Sequence, residues 1–126
     1  MINVRAITAA ATLAVTAAVL TGAPVASAKG GNGIRVSGTC TQSSSSKLRL
    51  NRDNSGTEIE FEVDQNRNAV PWKVTLRRSG SLIASATVTT HAPSGSFSYR
   101  RVSPGAGTII ATATRTGERC TATATA

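Results

Sequence analysis

The clearest pattern in the chain is an alternation of apolar and polar side chains that runs from Thr57 to Arg78. A two-residue period is typical of β-strands with one buried face and one face in water. Residues 65–71 interrupt the alternation, so it predicts two strands. The apolar positions of these strands are Ile59, Phe61 and Val63, followed by Trp72, Val74 and Leu76.

We expect these two strands to pair as an antiparallel hairpin. The apolar side chains would share the inner face, and the outer face would set an acidic row opposite Lys73 and Arg77. A slip of one residue would bury the four acids, so the register is strongly specified. The acidic row consists of Glu58, Glu60, Glu62 and Asp64.

Shorter segments of the same kind follow one another through residues 34–126. Turn-forming residues separate them, and no segment has a helical period. About eight short strands in about 95 residues predict an all-β fold, an antiparallel β-sandwich of the immunoglobulin-like kind, although a small barrel has a similar pattern. Trp72 is expected to be the largest core side chain, and the strand order stays open. The other predicted strands are 34–41, 47–51, 81–90, 96–102, 108–115 and 119–125, and one face of 81–90 is predicted to hold Leu82, Ala84, Ala86 and Val88.

The first 28 residues have the composition of a secretory signal peptide. One basic residue, Arg5, precedes an apolar run at 6–20, and Ala26-Ser27-Ala28 is a small-residue cleavage site. The apolar run is short for a membrane span and contains threonines, so a transmembrane segment fits less well. We therefore expect the protein to be secreted.

The mature chain would begin at Lys29, with a flexible leader at 29–33 and one β-sandwich domain at 34–126. The loss of Arg5 with the signal peptide lowers the net charge from +8 to +7. A positive net charge favours contact with anionic polymers and anionic lipid headgroups. The expected location is outside the cell or at the cell envelope, and the expected partner is anionic cell-wall polymer, acidic lipid or an extracellular protein.

Cys40 and Cys120 are the two cysteines of the chain. In a secreted protein an even number of cysteines predicts disulfide bonding, and here only one intramolecular pairing exists. Closing such a long loop is expected to stabilise the fold by roughly 4 to 5 kcal/mol. A catalytic thiol or a zinc site is disfavoured, because neither cysteine lies in a CxxC motif and His91 is the one histidine.

Binding is predicted to come from basic residues that do not face the acidic row. Specific nucleic-acid binding is not expected, since the adjacent pairs 77–78 and 100–101 would point to opposite faces and no outward aromatics are available to stack on bases. The candidate binding residues are Arg35, Lys47, Arg49, Arg52, Arg100, Arg115 and Arg119.

Catalytic interpretations of the polar residues are weak. The acids at 58, 60 and 62 would lie about 6 to 7 Å apart, within the range of glycosidase acid pairs, but on an open face beside cations that keep them ionised. No nucleophile-elbow motif accompanies His91. We therefore expect no catalytic site and no cofactor.

Asp64, Asn66 and Asn68 match the opening of a calcium-binding loop, in which alternate side-chain oxygens meet on one cation. The match then fails, because Ala69 stands in place of the turn glycine and Thr75 in place of the bidentate glutamate. These three residues are a weak calcium candidate.

A small inhibitor of an extracellular enzyme is the alternative function. An inhibitor needs a rigid exposed loop, and the candidates are Gln65 to Pro71 and His91 to Gly95. Neither loop is braced by a disulfide of its own.

Several short sequences carry a resemblance to known proteins: GTCT at 38–41, EFEVDQN and WKVTLRR in the central strands, APSGSF at 92–97 and GERCTATA at 117–124. Together with the Ala/Val/Thr-rich start of the chain, they make it resemble the short secreted proteins of unknown function found in actinobacteria. The resemblance covers nearly all of the mature chain and implies no activity. The enediyne-binding apoproteins are similar in architecture only, since they are acidic and carry two disulfides.

Overall fold

Nine β-strands follow one another in the described part of the chain, residues 33–126 of a computed structural model. No helix occurs in these residues, so none of their segments is a helix that could span a membrane. The predicted signal peptide at 1–28 and the leader before Gly33 lie outside the described residues. The strands are β1 Gly33–Ser37, β2 Thr39–Cys40, β3 Ser45–Asp53, β4 Gly56–Asp64, β5 Pro71–Arg78, β6 Ser81–Thr89, β7 Ser96–Ser103, β8 Thr108–Arg115 and β9 Glu118–Thr125.

The strands form two antiparallel sheets that pack face to face as a β-sandwich, which confirms the predicted fold class. Sheet A has the order β1-β3-β4-β7, and sheet B has the order β2-β9-β8-β5-β6. Strands β3 to β9 follow the immunoglobulin-like arrangement, with β3-β4-β7 in the places of A, B and E and β9-β8-β5-β6 in the places of G, F, C and C′. Trp72 lies on β5, the counterpart of strand C, where immunoglobulin domains also bury a tryptophan.

The predicted hairpin between β4 and β5 is wrong. Strand β4 pairs with β3 and β7 in sheet A, whereas β5 pairs with β6 and β8 in sheet B. The connection at 65–70 carries the chain from one sheet to the other, so the two apolar faces meet across the sandwich instead of lying side by side. Both arrangements require the same alternation, and the alternation therefore could not distinguish them.

The core lies between the sheets and is built as predicted from the alternating apolar positions. Trp72 is fully buried and is its largest side chain. The Trp72 ring lies 6.2 Å from the Phe97 ring at a tilt of 56°, and its Nε1 donates a hydrogen bond to Oε1 of Gln65 at 3.0 Å. Small side chains of β8 and β9 let sheet B approach the larger residues of sheet A. They are Ala111, Ala113, Ala122 and Ala124.

The predicted first strand at 34–41 is divided between the two sheets at Gly38. The Gly38 N–H donates to the Ser46 carbonyl at 2.9 Å, and a Cβ at position 38 would lie only 2.6 Å from the Thr121 carbonyl oxygen. A residue with a side chain would not fit at this crossing. The crossing brings Cys40 opposite Cys120, with their Cα atoms 4.0 Å apart, and the two form the predicted disulfide.

Strand β6 departs from the prediction near its start. The register of β5 and β6 shifts between Leu76 and Arg77, which sets Leu82 opposite Arg77 on the outer face of the sheet. Leu82 is therefore 54% exposed instead of sharing the inner face with Ala84 and Val88. The partly buried Ile83 packs against the core beside them.

Candidate binding face

Rows of hydroxyl side chains cross the outer face of sheet B. The alternation of Thr and Ala in β8 and β9 directs alanine inward and threonine outward. Neighbouring hydroxyl-bearing residues in a row are about 4.8 Å apart, and successive rows are about 6.7 Å apart along the strands. One row spans all five strands through Thr39, Thr121, Thr112, Thr75 and Ser85.

Three cations interrupt these rows. Arg119, Thr114, Lys73 and Thr87 are successive partners in the next row, and Arg77 lies opposite Ile110 and Leu82. The side chains of Lys73, Arg77 and Arg119 are exposed. Among residues 33–126, no acid lies on this face and no ion pair reaches any of the three. We call this surface, with its hydroxyl rows and three cations, the threonine face.

The outer face of sheet A has a different electrostatic character. Arg35, Arg49, Glu60 and Arg100 are successive partners in one row across β1, β3, β4 and β7. Glu60 accepts hydrogen bonds from Arg49 and, at 3.1 and 3.2 Å, from Arg100. Partial burial by itself raises the pKa of Glu60, but the hydrogen bonds and charges of the two arginines lower it below its ordinary value. We call this surface the ion-pair face.

These two faces correct the expected partners of the acidic row. Arg49 and Arg100 bind Glu60 from within sheet A, whereas Lys73 and Arg77 lie on the opposite side of the sandwich. Arg49 and Arg100, which were predicted to bind a partner, are therefore ion-paired with Glu60. Lys73 and Arg77, which were predicted to face the acids, lie away from them.

The structure does not bring the seven predicted binding residues together. Arg35 and Lys47 lie with Arg49 along a shallow pocket of about 230 Å³ on the ion-pair face. Arg52 is exposed near the turn that joins β3 to β4, and Arg119 is on the threonine face. Sequence reasoning missed Lys73 and Arg77 because it paired β4 with β5. The available signal was the acid-free composition of β5, β6 and β8.

Arg115 is engaged at one end of the sandwich and is not a free cation. It donates to Glu118 at 3.0 Å and lies 5.5 Å from the centre of the Trp72 ring. The buried Glu118 carboxylate also accepts from the N–H groups of Gln42 and Ser44 and from the Ser44 hydroxyl at 2.8 to 3.2 Å. Burial raises the pKa of Glu118, but the bonds from Ser44 and Arg115 lower it more, so its pKa lies below the ordinary value.

The calcium candidate lies along an open cleft of about 520 Å³ at this end of the molecule. Asp64 Oδ1 accepts a hydrogen bond from the Asn66 N–H at 3.1 Å. The cleft is lined by Asp64 and Asn66 but not by Asn68, and the cations Arg67 and Arg115 line it as well. The positive charges of these two arginines disfavour the binding of Ca²⁺ in the cleft.

The two loops considered for inhibition brace each other through backbone hydrogen bonds. The N–H groups of Gln65 and Asn66 donate to the Gly95 carbonyl at 3.0 and 3.2 Å, and Ala69 N–H donates to the Thr90 carbonyl at 2.9 Å. Gly95 has a φ of +70°, and a Cβ there would lie 2.6 Å from the Asn66 carbonyl carbon. The loops therefore form one supported surface without a disulfide of their own.

Comparisons of the chain with protein families, with curated proteins and with solved structures found no match.

Proposed function

We propose that the protein is a secreted, noncatalytic module that binds anionic polymer through the threonine face. The observation that carries this proposal is the exposure of Lys73, Arg77 and Arg119 on a face without acids. The buried disulfide is compatible with an extracellular location. Anionic cell-wall polymer is the partner that fits both the location and the charge.

The layout of the threonine face suits an extended ligand. Its cations lie on β5 and β9, so an anionic chain can contact them successively while threonine hydroxyls donate hydrogen bonds to its phosphate or sulfate oxygens. The face is an open sheet surface, which accommodates a polymer laid across the strands. On the ion-pair face an anion would have to compete with Glu60 for Arg49 and Arg100.

A pair of matched double variants tests the proposal. Lys73→Gln with Arg77→Gln removes two cations from the threonine face, and Arg35→Gln with Lys47→Gln removes two from the ion-pair face. The net charge is the same in both variants. Binding to polyphosphate and to purified cell wall is measured by titration at low salt.

The first variant is expected to bind about thirtyfold more weakly, because each cation near an anionic surface contributes about 1 kcal/mol. The control is expected to lose no more than about threefold. Binding of the wild type should weaken as salt shortens the screening length from about 10 Å to about 3 Å. Equal losses in the two variants would show that net charge and not this face governs binding, and retention in molar salt would exclude an electrostatic mechanism.

Inhibition of an extracellular enzyme is a second candidate, favoured by the mutual bracing of the loops at 65–71 and 91–95. Loops held in place before binding lose less conformational entropy in a complex. Incubation with a panel of extracellular hydrolases separates the candidates, since an inhibitor would act at stoichiometric concentration and would be insensitive to loss of Lys73 and Arg77.

A further inference from the structure

Strand β6 is an unprotected edge of sheet B. Proteins usually protect such edges with charged side chains, proline or short strands. The nine residues Ser81–Thr89 contain no charge and no proline. The edge strands of sheet A carry Arg35 in β1 and Arg100 and Arg101 in β7. In the described chain the opposite edge of sheet B is also uncharged, but it consists of the two residues of β2 and the end of β9, Ala122–Thr125, and each piece is at most about half as long as β6.

The backbone groups that β6 leaves free can be identified from its pairing with β5. The Thr90 N–H donates to the Val70 carbonyl, so Thr90 faces β5. Alternate residues of an antiparallel strand face opposite sides, and the N–H and C=O groups of Ser85, Thr87 and Thr89 therefore point outward. The partner of Thr89 on β5 is Pro71, which has no N–H and could not donate to the Thr89 carbonyl. This agrees with an outward direction for the backbone groups of Thr89.

We propose that β6 pairs with β6 of a second copy of this chain, antiparallel, about a two-fold axis at Thr87. In this register Thr87 lies opposite its own copy, and Ser85 lies opposite Thr89 of the other chain. Every free backbone group of the three residues then has a partner. The outer face gains hydroxyl pairs, and the inner face pairs Ala86 with Val88, so the strand is complementary to itself on both faces.

Charge favours β6 over the other edges as the site of pairing. Two copies of a chain with a net charge of +8 repel each other, and the arginines of β1 or β7 would approach their own copies in an equivalent pairing. Strand β6 adds no like charges of its own. A single edge contact buries less than a standard interface, so we expect a weak, reversible dimer with a Kd of about 10 µM to 1 mM.

The dimer and the polymer complex should respond to salt in opposite directions. Salt screens the repulsion between two cationic copies and strengthens the dimer, whereas it weakens the attraction of the threonine face for polyanions. The proposed dimer also leaves the side chains of Lys73, Arg77 and Arg119 exposed, because they lie on β5 and β9 and not on the paired edge. Failure of one proposal is therefore distinguishable from failure of the other.

Sedimentation equilibrium of the protein in 0.05 M and 0.5 M NaCl, with three variants, tests the proposed dimer. Thr87→Pro removes an outward N–H that makes no bond to β5, and Thr87→Lys sets two cations face to face at the axis. Thr123→Lys is the matched control, since it adds the same charge to the same outer face on β9. Both Thr87 variants should weaken the dimer at least tenfold, and the control should change it less than twofold.

Hydrogen exchange followed by NMR gives a residue-level readout. The amides at 85, 87 and 89 should gain protection as the wild-type concentration rises, whereas those at 86 and 88 should be protected at every concentration. Melting temperatures establish that the variants are folded. A protein that stays monomeric at millimolar concentration in 0.5 M NaCl would overturn the proposal, and so would a dimer that is lost with Thr123→Lys but kept with either Thr87 variant.

Discussion

Both outer faces of the sandwich belong to antiparallel sheets, but in residues 33–126 one mixes acids with cations and the other carries cations without acids. On the ion-pair face, β4 places Glu60 between Arg49 of β3 and Arg100 of β7, and the carboxylate binds both. On the threonine face, three cations have no acidic neighbour among the described residues. The comparison shows that the location of unpaired charge depends on which strands are neighbours and is not given by the net charge of the chain.

The inner surfaces of the two sheets differ as well. Sheet A contributes large side chains such as Leu48, Leu50 and Phe61, while β8 and β9 contribute alanines. Threonine suits the outward positions of these strands because a β-branched side chain favours a strand and its hydroxyl stays hydrated. The Thr/Ala alternation of β8 and β9 therefore supplies both small inner side chains and the hydroxyl rows of the outer face.

The largest expected effect comes from breaking the link that fastens β2 to sheet B. Replacing both cysteines by serine should lower the free energy of unfolding by roughly 4 to 5 kcal/mol, because the disulfide closes a loop with a sequence separation of 80. Urea unfolding of the double variant and of the oxidised wild type measures the difference. Equal stabilities, or two alkylatable thiols in the native protein, would contradict the assigned role of this bond.

The same variant tests whether β2 contributes to the threonine face. Without the disulfide, β2 and its Thr39 are expected to be held less firmly against sheet B, and a lower affinity of the folded variant for polyphosphate would show that β2 takes part in binding.

A smaller effect is expected from Glu118, which tethers the segment after β2 to the turn between β8 and β9. Glu118→Gln should cost about 1 to 3 kcal/mol, because it weakens charge-assisted bonds to a buried group. The lowered pKa of Glu118 means that its contribution is fully present above the unfolded value of about 4.3 and is lost as the pH falls through the lower folded value. Part of the acid sensitivity of the wild type should therefore be absent from the variant.

Glu62→Gln on the ion-pair face is the matched control for this prediction. Glu62 has no ion pair with any residue of 33–126, and its replacement should change the free energy of unfolding by less than about 0.5 kcal/mol. Urea unfolding between pH 3 and pH 7 compares the two variants. A larger loss at Glu62 than at Glu118 would contradict the structural role assigned to the buried carboxylate.

Local patterns predicted most of the strands and the core, because alternation depends on the chain's own neighbours. The strands at 57–64 and 71–78 and the burial of Trp72 and Phe61 are confirmed, and so is the disulfide, which had one possible pairing. The partners of each strand are not local information. The loop at 65–70 could turn within a sheet or cross between sheets, and that one choice reassigned Lys73 and Arg77 from the acids to the threonine face.

A smaller change in stability than at Glu118 is expected from a substitution at Glu60, the centre of the ion-pair face. Glu60→Gln removes the charge that holds Arg49 and Arg100, and it should turn the ion-pair face into a second cationic face. The cost in the free energy of unfolding should be at most about 1 kcal/mol, because Arg100 is exposed and Arg49 is only partly buried, so water screens both ion pairs. Affinity for polyphosphate should rise about three- to tenfold, since up to two guanidinium groups become available.

Glu58→Gln is the control for this last prediction, because it makes the same change in net charge on the same strand and face without releasing an ion-paired arginine. Titration against polyphosphate in 0.05 M NaCl compares the two variants with the wild type. A rise confined to Glu60→Gln would mean that local pairing determines which cations reach a polyanion. If both variants gain equally, the net charge of the molecule governs binding, and the distinction between the threonine face and the ion-pair face has no bearing on it.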